Sequence, residues 1–266
     1  MRAISKSALP DIDYTFNPYI GCAHGCVYCY ARCFTRDKEA STNWGKVVKV
    51  KPNVLESLRK EIRSIRKGAV VGVSTITDPY QPLESKLKIT REAIGMMLEA
   101  GLHVSIQTKS DLVLRDLDVL EGRKADVGFT ITTLDERLAK MLEPNASSPK
   151  NRAEALRKVA EKGIGRWIFY GPIVPYLNDD DETALEIAEL AMETEAELLL
   201  DYLRLRPRVI KSIKGALGEL GEKVVKAAKD RTVMYKRLAE IKRFMEKKGV
   251  KASYAFPQPS LADFLR

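Results

Sequence analysis

Residues 21 to 30 read Gly21-Cys22-Ala23-His24-Gly25-Cys26-Val27-Tyr28-Cys29-Tyr30. Three residues separate the first two cysteines and two separate the next pair, a spacing typical of a loop whose thiolates bind three irons of a 4Fe-4S cluster and leave the fourth iron open. The only other cysteine of the chain is Cys33, so no thiol remains elsewhere for a disulfide framework. The spacing therefore predicts a cluster bound by Cys22, Cys26 and Cys29.

Two other uses of these thiols stay open at this point, a zinc site and buried free thiols. Structural zinc sites usually take two separated ligand pairs so that a tetrahedron can close around the metal. Here all four thiols come from one short loop, and the only histidines are His24 and His103. Clustered free thiols without a signal peptide indicate a reducing compartment, and we expect the cytoplasm.

The loop resembles the signature of the radical S-adenosyl-L-methionine (SAM) superfamily, which has an aromatic residue, here Tyr28, just before the last cysteine. The resemblance implies that SAM chelates the open iron. It also implies that one-electron reduction cleaves SAM to methionine and a 5'-deoxyadenosyl radical. Such an enzyme needs an electron donor, for example a ferredoxin or a flavodoxin.

A narrower resemblance, to the spore photoproduct lyase-like (DNA repair photolyase-like) branch of that superfamily, rests on four further segments and covers about residues 14 to 200. These segments are Asn17 to Cys22, Thr77 to Glu84, Leu142-Glu143-Pro144 and Pro172 to Asp179. The branch implies a radical reaction on a nucleic acid base.

Short β-branched runs alternate with amphipathic helical stretches along the chain. The expected strands are 69–74, 103–107, 127–131, 166–170 and 197–203, and the expected helices are 53–66, 91–100, 112–120, 151–162 and 180–192. Regular β-α alternation predicts a parallel sheet with helices outside it. We expect an α/β fold, a partial (β/α)6 TIM-like barrel over residues 1–203 with the cluster loop at 21–34. A basic helical extension over 204–266 should pack on it, with a tail from Phe256 docked on the body.

Ligands of such sheets bind at the carboxyl ends of the strands, where several polar residues fall. By resemblance, Thr77 lies where a hydroxyl contacts the SAM amine, and Lys109 and Thr130 lie where its carboxylate is held. Tyr28 matches an aromatic beside the adenine, and Ile173 belongs to the same cofactor site. Each residue also has a structural interpretation, because threonines suit strand ends and lysines are mostly solvated.

Candidate catalytic residues are Asp78, Tyr80 and Cys33. The prolines of the Thr77 to Glu84 segment would present Asp78 and Tyr80 at the mouth of the barrel, unless they only form a turn. In spore photoproduct lyase a cysteine returns a hydrogen atom to the product, and the matching position here is about Thr75. A hydroxyl is a poor hydrogen-atom donor, so repair by that route is not expected. Cys33 is the only spare thiol.

Positive charge is concentrated near the C-terminus. Residues 201 to 251 hold 16 Lys and Arg against 6 Asp and Glu, a net of +10, whereas the whole chain carries +9. Such a field favours a polyanion, and we expect DNA or RNA to contact Arg204, Arg206 and Arg208. A solvated helical face is the alternative interpretation.

Two classes of function follow from these patterns. The favoured one is a radical SAM enzyme, and its rival is a basic nucleic-acid-binding protein with a structural metal site. No apolar run reaches the roughly 18 residues that span a bilayer, so we expect no membrane partner.

Overall fold

A mostly parallel sheet forms the centre of the protein, which a computed structural model describes from residue 2 to residue 258. The strands of this range are β1 Ile4–Lys6, β2 Tyr14–Phe16, β3 Tyr19–Ile20, β4 Lys49–Val50, β5 Val70–Val73, β6 His103–Thr108, β7 Ala125–Thr130, β8 Gly165–Ile173, β9 Glu197–Tyr202 and β10 Ala252–Tyr254. Eight of them form one sheet in the order β1-β2-β5-β6-β7-β8-β9-β10, and β3 pairs with β4.

Helices cover the outer face of this sheet. The α-helices of the described range are α1 Ala31–Phe34, α2 Lys38–Thr42, α3 Val54–Glu61, α4 Glu84–Leu87, α5 Ile89–Glu99, α6 Leu117–Leu120, α7 Glu136–Leu142, α8 Pro149–Glu161, α9 Asp181–Thr194, α10 Pro207–Ala228 and α11 Arg231–Lys247. Side-chain caps mark where the longer ones begin: the Ser148 side chain accepts a hydrogen bond from Asn151 N at α8, and Asp180 accepts one from Thr183 N at α9.

The expected α/β fold, a parallel partial barrel, is confirmed. Within the eight-stranded sheet of the described residues, every pairing from β2 across to β10 is parallel, and β1 is antiparallel to β2. The separate pair of β3 and β4 is antiparallel. The five strands expected from the sequence are present as β5 to β9. Two further parallel strands, β2 and β10, were not predicted because three residues are too few for a hydrophobic alternation to show.

One predicted helix differs in type. Residues Asp111–Asp116 wind as a 3₁₀ helix, and only Leu117–Leu120 is α-helical. The tighter turn ends on Asp116, which is fully buried and forms ion pairs with Arg91 and Arg115. The carboxylate therefore has partners that a solvated helix residue would not need.

The two faces of the sheet differ in burial. In β6, Val104 and Ile106 are fully buried on the helix-covered face, whereas Ser105 and Gln107 on the other face are only partly buried. This second face is the inside of the barrel. Register places Gln107 opposite Gly128 and Gly128 opposite Trp167, so the inner surface continues across β6, β7 and β8.

The C-terminal segment joins the same sheet. Helix α11 packs on α9 and β9, and β10 pairs with β9 so that Ala252 lies opposite Leu198. Phe256 lies under the Arg204 guanidinium, 4.6 Å from ring centroid to Cζ, while the rest of the expected docked tail, 259–265, lies outside the described residues. None of the helices between residues 2 and 258 is long and apolar enough to cross a lipid bilayer.

Candidate functional site

The cluster loop connects β3 to α1 and lies over the carboxyl end of the sheet. Cys22 and Cys26 are buried, whereas Cys29 and Cys33 are partly exposed. Gly21 and Gly25 have φ values of 86° and 67°, which L side chains rarely adopt. A Cβ on Gly21 would collide with the carbonyl oxygen of Val47. The two glycines therefore allow the tight path of the loop.

Burial and positive charge act in opposite directions on the thiols of this loop. Burial raises the pKa of Cys22 to about 12, so these thiols stay protonated until a metal displaces the proton. Burial also raises the pKa of Cys26 and Cys29, and the Lys109 ammonium offsets part of this rise. Arg32 Nη2 donates to Cys26 O at 2.7 Å. Two cations thus lie beside three thiols of one loop, a donor set that fits a thiolate-bound cluster.

The thiols do not converge on a single point. Among residues 2 to 258 no three His, Cys, Asp or Glu side chains are placed to hold one metal ion. A structural zinc site needs four ligands around one ion, whereas in an iron-sulfur cluster each thiolate binds its own iron. Cys22, Cys26 and Cys29 stay the candidate ligands of the predicted cluster.

A segment between α7 and α8 holds one side of the cluster loop. Val27 N donates to Leu142 O at 2.8 Å, and Asn145 Nδ2 donates to Ala23 O at 2.9 Å. The Tyr28 hydroxyl donates to the buried carboxylate of Glu143. The motif Leu142-Glu143-Pro144 thus fixes the loop through both backbone and side chain.

Arg152 of α8 completes this support. Its guanidinium forms an ion pair with Glu143 and donates to Thr130 O at 2.7 Å and Ser147 O at 2.9 Å. Burial alone would raise the pKa of Glu143, but the charges of Arg152 and Lys109 lower it. Glu143 is therefore held ionised inside the protein.

The loop after β5 holds the other side of the cluster loop. Thr77 Oγ1 donates to Gly21 O at 2.5 Å and accepts from Gln81 Nε2 at 3.1 Å. Gln81 Oε1 in turn accepts from Ala23 N at 2.9 Å. The Thr77 hydroxyl, which the resemblance places beside the SAM amine, thus also positions the cluster loop.

Asp78 lies beneath the same loop, where it joins three segments. It accepts from Thr108 Oγ1 and Lys109 N, each at 2.8 Å, and its Oδ2 lies 3.3 Å from His24 Nδ1. Burial alone would raise the pKa of Asp78, but the His24 ring and these hydrogen bonds lower it to about 2. These contacts indicate a positioning role.

Tyr80 and Cys33, the other candidate catalytic residues, lie in different surroundings. Tyr80 is buried beside Glu84, Arg115 and Asp116, and burial raises its pKa. Cys33 is partly buried against the core, and its N donates to Tyr30 O at 2.9 Å. The contacts of Tyr80 indicate packing behind the mouth, and a catalytic role for Cys33 stays a prediction.

The cofactor residues expected from the resemblance surround the mouth of the barrel. Lys109 Nζ lies 5.8 Å from the centre of the Tyr28 ring. Its ammonium donates no hydrogen bond within residues 2–258, so it can receive a carboxylate. Thr130 Oγ1 accepts from Gln107 Nε2 at 3.1 Å, and Ile173 is buried where β8 ends. Their contacts with SAM stay predictions.

Two aromatic rings line the inside of the barrel below the mouth. The Trp167 indole lies across Gly128, and a Cβ on Gly171 would lie 2.5 Å from the Phe169 ring. At the bottom, Asp126 accepts from Ser105 Oγ and Trp167 Nε1, each at 2.7 Å, and lies 2.6 Å from His103 Nε2. The glycines thus leave room that the rings occupy.

Sequence reasoning missed several of these residues. Arg152 had the pattern of a solvated helix charge, and the two aromatics had the pattern of strand residues. Gln107 lies at a strand end next to Lys109, so the rule that places ligands at carboxyl ends could have included it.

The three arginines expected to meet nucleic acid have different surroundings. Arg204 pairs with Asp201 at 2.8 Å, and Arg208 donates to Arg32 O at 3.2 Å and to Ser41 Oγ at 2.5 Å. Arg206 lies over the Phe34 ring at 4.5 Å and forms no ion pair within the described part of the chain. It is the most available of the three to an external anion.

Comparison with known proteins agrees with this geometry. The chain is 36% identical over 180 residues to an uncharacterized protein of Methanocaldococcus jannaschii, covering 67% of each chain. It is 34% identical over 199 residues to an uncharacterized protein of Acidianus two-tailed virus, covering 71% of this chain and 65% of the relative. The alignments thus span about two thirds of these relatives.

A solved structure of a mutant spore photoproduct lyase with bound AdoMet and dinucleoside spore photoproduct has a similar fold. The TM-score is 0.69 at 17% identity, and the match covers 96% of this chain and 79% of that one. The family model of the radical SAM superfamily matches residues 16–191. These findings confirm the expected superfamily and, at the level of the fold, the likeness to spore photoproduct lyase. The chain belongs to the radical SAM superfamily of enzymes.

Proposed function

We propose that the protein is a radical SAM enzyme that abstracts hydrogen from a nucleic acid base. When bound, the 4Fe-4S cluster and SAM supply the 5'-deoxyadenosyl radical for this reaction. Cys22, Cys26 and Cys29 would hold the cluster, and Lys109, Thr77, Thr130, Tyr28 and Ile173 would surround SAM. Family membership does not favour the rival function, a nucleic-acid-binding protein with a structural metal.

The aromatic side chains on the inner wall of the barrel are the observation that supports a nucleic acid base as the substrate. Trp167 and Phe169 line the inside below the mouth, and Gln107 lies in register with Gly128 and Trp167. Ring faces stack on a base at about 1–3 kcal/mol each, and an amide can hydrogen-bond its edge. The likeness to a lyase that binds a dinucleoside photoproduct supports the same substrate class.

The hydrogen-atom return of spore photoproduct lyase is not part of the proposal. Thr75 has no thiol, and its carbonyl oxygen already accepts a hydrogen bond from the Tyr30 hydroxyl at 2.7 Å. Cys33 is the candidate for a hydrogen-atom donor, and Tyr28, Tyr30 and Tyr80 are the other side chains that could relay a hydrogen atom.

The reaction also requires partners outside the chain. A ferredoxin or flavodoxin would supply the electron, and Arg206 would meet the DNA or RNA substrate. An oxygen-sensitive cluster and free thiols persist best in a reducing compartment, which makes the cytoplasm the proposed location.

Anaerobic reconstitution tests the proposal. We expect protein loaded with iron and sulfide to form 5'-deoxyadenosine from SAM after reduction with dithionite, and single-stranded oligonucleotides should increase the yield. Cys26→Ala should lose the cluster absorbance and the product, because one of three iron ligands is gone. Cys33→Ala is the matched control and should retain its iron.

Two outcomes would contradict the proposal. Wild-type protein that binds zinc, holds no iron-sulfur cluster and forms no 5'-deoxyadenosine would favour the structural-metal alternative. Turnover that no oligonucleotide increases would remove the nucleic acid base as substrate while leaving the radical chemistry intact.

A further inference from the structure

A cavity of about 290 Å³ lies on the outer side of the cluster loop, away from the inner wall of the barrel. Its lining includes Gly21, which precedes the first cysteine, and Ile76, which precedes Thr77. Phe34, Arg36 and Lys51 close the other sides. The volume is close to the lower limit, about 300 Å³, of the usual range for small-molecule sites.

Lys51 is a partly buried cation that has no counterion among the described residues. Its ammonium forms neither a hydrogen bond nor an ion pair within residues 2–258, and burial lowers its pKa. The acidic residue of the lining, Asp37, is already engaged by Lys49 Nζ at 2.8 Å and by Ala40 N at 2.9 Å. A buried charge without a partner costs free energy that a bound anion would recover.

Further positive charge lies around the cavity. Arg36 is exposed and, like Lys51, forms no ion pair among the described residues. The Arg206 guanidinium lies 4.5 Å from the Phe34 ring, and 49% of Phe34 is exposed. Proteins that bind single-stranded nucleic acid combine exposed aromatic rings, on which bases stack, with cations that contact the phosphates. Phe34 and these cations, which form no ion pair within residues 2–258, provide that combination.

The cavity is close to the mouth of the barrel. The Phe34 ring lies 6.0 Å from the Tyr30 ring, whose hydroxyl donates to Thr75 O. One aromatic side chain therefore separates the cavity from the cofactor side. A substrate with its base in the barrel could extend its backbone past Tyr30.

We propose that this cavity binds a phosphate group of the nucleotide substrate through Lys51 and Arg36, with Phe34 as a stacking surface beside it. This inference rests on the proposed function. The phosphate belongs either to the backbone of a strand or to a free nucleotide, and the chemistry of the site is the same for both.

Binding measurements on the reconstituted full chain test this without turnover. The variants are Lys51→Met, which keeps the apolar stem, Lys51→Arg, which restores the charge, and Lys60→Met as control. Lys60 is an exposed lysine paired with Glu56 at 2.6 Å. The probes are a labelled ten-nucleotide oligothymidylate, thymidine monophosphate and inorganic phosphate, each titrated by fluorescence or calorimetry at several salt concentrations.

We expect Lys51→Met to weaken oligothymidylate binding about tenfold, since the variant loses a hydrogen bond to a charged phosphate. The dependence of log Kobs on log salt should become shallower by about 0.7, the value for one phosphate contact of a single strand. Lys51→Arg should recover most of the affinity, and Lys60→Met should match the wild type. Arg36→Gln gives a second test if Lys51→Met fails to fold.

The probes distinguish the two sources of phosphate. Tight binding of thymidine monophosphate that depends on Lys51 identifies a nucleotide site, and binding of the oligomer alone identifies a strand. Equal affinity of Lys51→Met and wild type for all three probes overturns the inference. The inference is also overturned if Lys51→Met binds the oligomer as the wild type does but its cluster is reduced more slowly by an acidic electron-donor protein. In that case the surface would dock a protein. Formation of 5'-deoxyadenosine by the wild type is measured separately, so failure of the cavity and failure of the radical chemistry are distinguishable.

Discussion

Glu143 lies where the cluster loop, α8 and β7 meet. Its carboxylate accepts from the Tyr28 hydroxyl, pairs with Arg152 and lies 3.5 Å from Thr132 Oγ1. Since a buried carboxylate needs partners to stay charged, these residues depend on one another. The sequence motif singled out Glu143, but its partner Arg152 is nine residues away on a helix and gave no local signal.

We predict that Glu143→Gln destabilises the protein by about 3 kcal/mol, because it leaves the Arg152 charge buried without its counterion. Thermal unfolding of the apoprotein should show a melting temperature lower by about 6–12 °C. The matched control is Glu193→Gln, which breaks a surface pair with Arg157 and should change the melting temperature little. Equal melting temperatures for the two variants would contradict this account.

Two loops hold the cluster loop in place, one after β5 and one between α7 and α8. Both donate to or accept from the backbone of the cluster loop, at Gly21 and Ala23 on one side and at Ala23 and Val27 on the other. The cluster loop is thereby anchored to the rigid sheet. Asp78 ties the first of these loops to β6 through Thr108 and Lys109.

The pH dependence of unfolding tests the role of Asp78. Its pKa in the folded protein is about 2, below the ordinary value of 3.8, so its stabilisation is present above about pH 4 and is lost as the pH falls towards 2. Asp78→Asn should therefore be less stable than wild type by about 2 kcal/mol at pH 6, and urea unfolding should show this difference shrinking between pH 4 and 2. Glu99→Gln, an exposed carboxylate change on α5, is the control and should show no such trend. A constant difference over this range would argue against the Asp78 charge.

At the scale of the whole molecule, the C-terminal segment supplies part of the sheet as well as the basic charge. Helices α10 and α11 bury Val209, Ile213, Val224, Leu238 and Met245, and β10 adds a parallel strand to β9. The division of the chain into a barrel over residues 1–203 and an extension over 204–266 stays a prediction from the sequence. Burial of these side chains indicates that the two parts stabilise each other.

We predict that a chain ending at residue 203 does not fold alone. Five buried apolar side chains contribute roughly 8–15 kcal/mol, comparable with a whole free energy of unfolding of about 5–15 kcal/mol. Near-UV circular dichroism should show no fixed aromatic environment, and urea should cause no cooperative transition, whereas the full chain under the same conditions shows both. A cooperative transition of the short chain would establish residues 1–203 as an independent domain.

The sequence by itself determined the features that depend on neighbouring residues. The spacing from Cys22 to Cys29 indicated the cluster loop, and hydrophobic alternation located β5 to β9, because local patterns depend on backbone geometry alone. It could not locate β2 and β10, whose three residues become strands only by pairing with longer ones.

Tertiary structure decided which side chains meet across the chain. Asp78 contacts His24 and Lys109, and the Lys51 ammonium, which lines one cavity with Phe34, has no ion-pair partner among residues 2–258. These relations join residues that lie far apart in sequence, and only packing fixes their distances, burial and charge. The cluster loop can therefore be identified from the sequence alone, whereas the surfaces proposed to select the substrate form only when the chain folds.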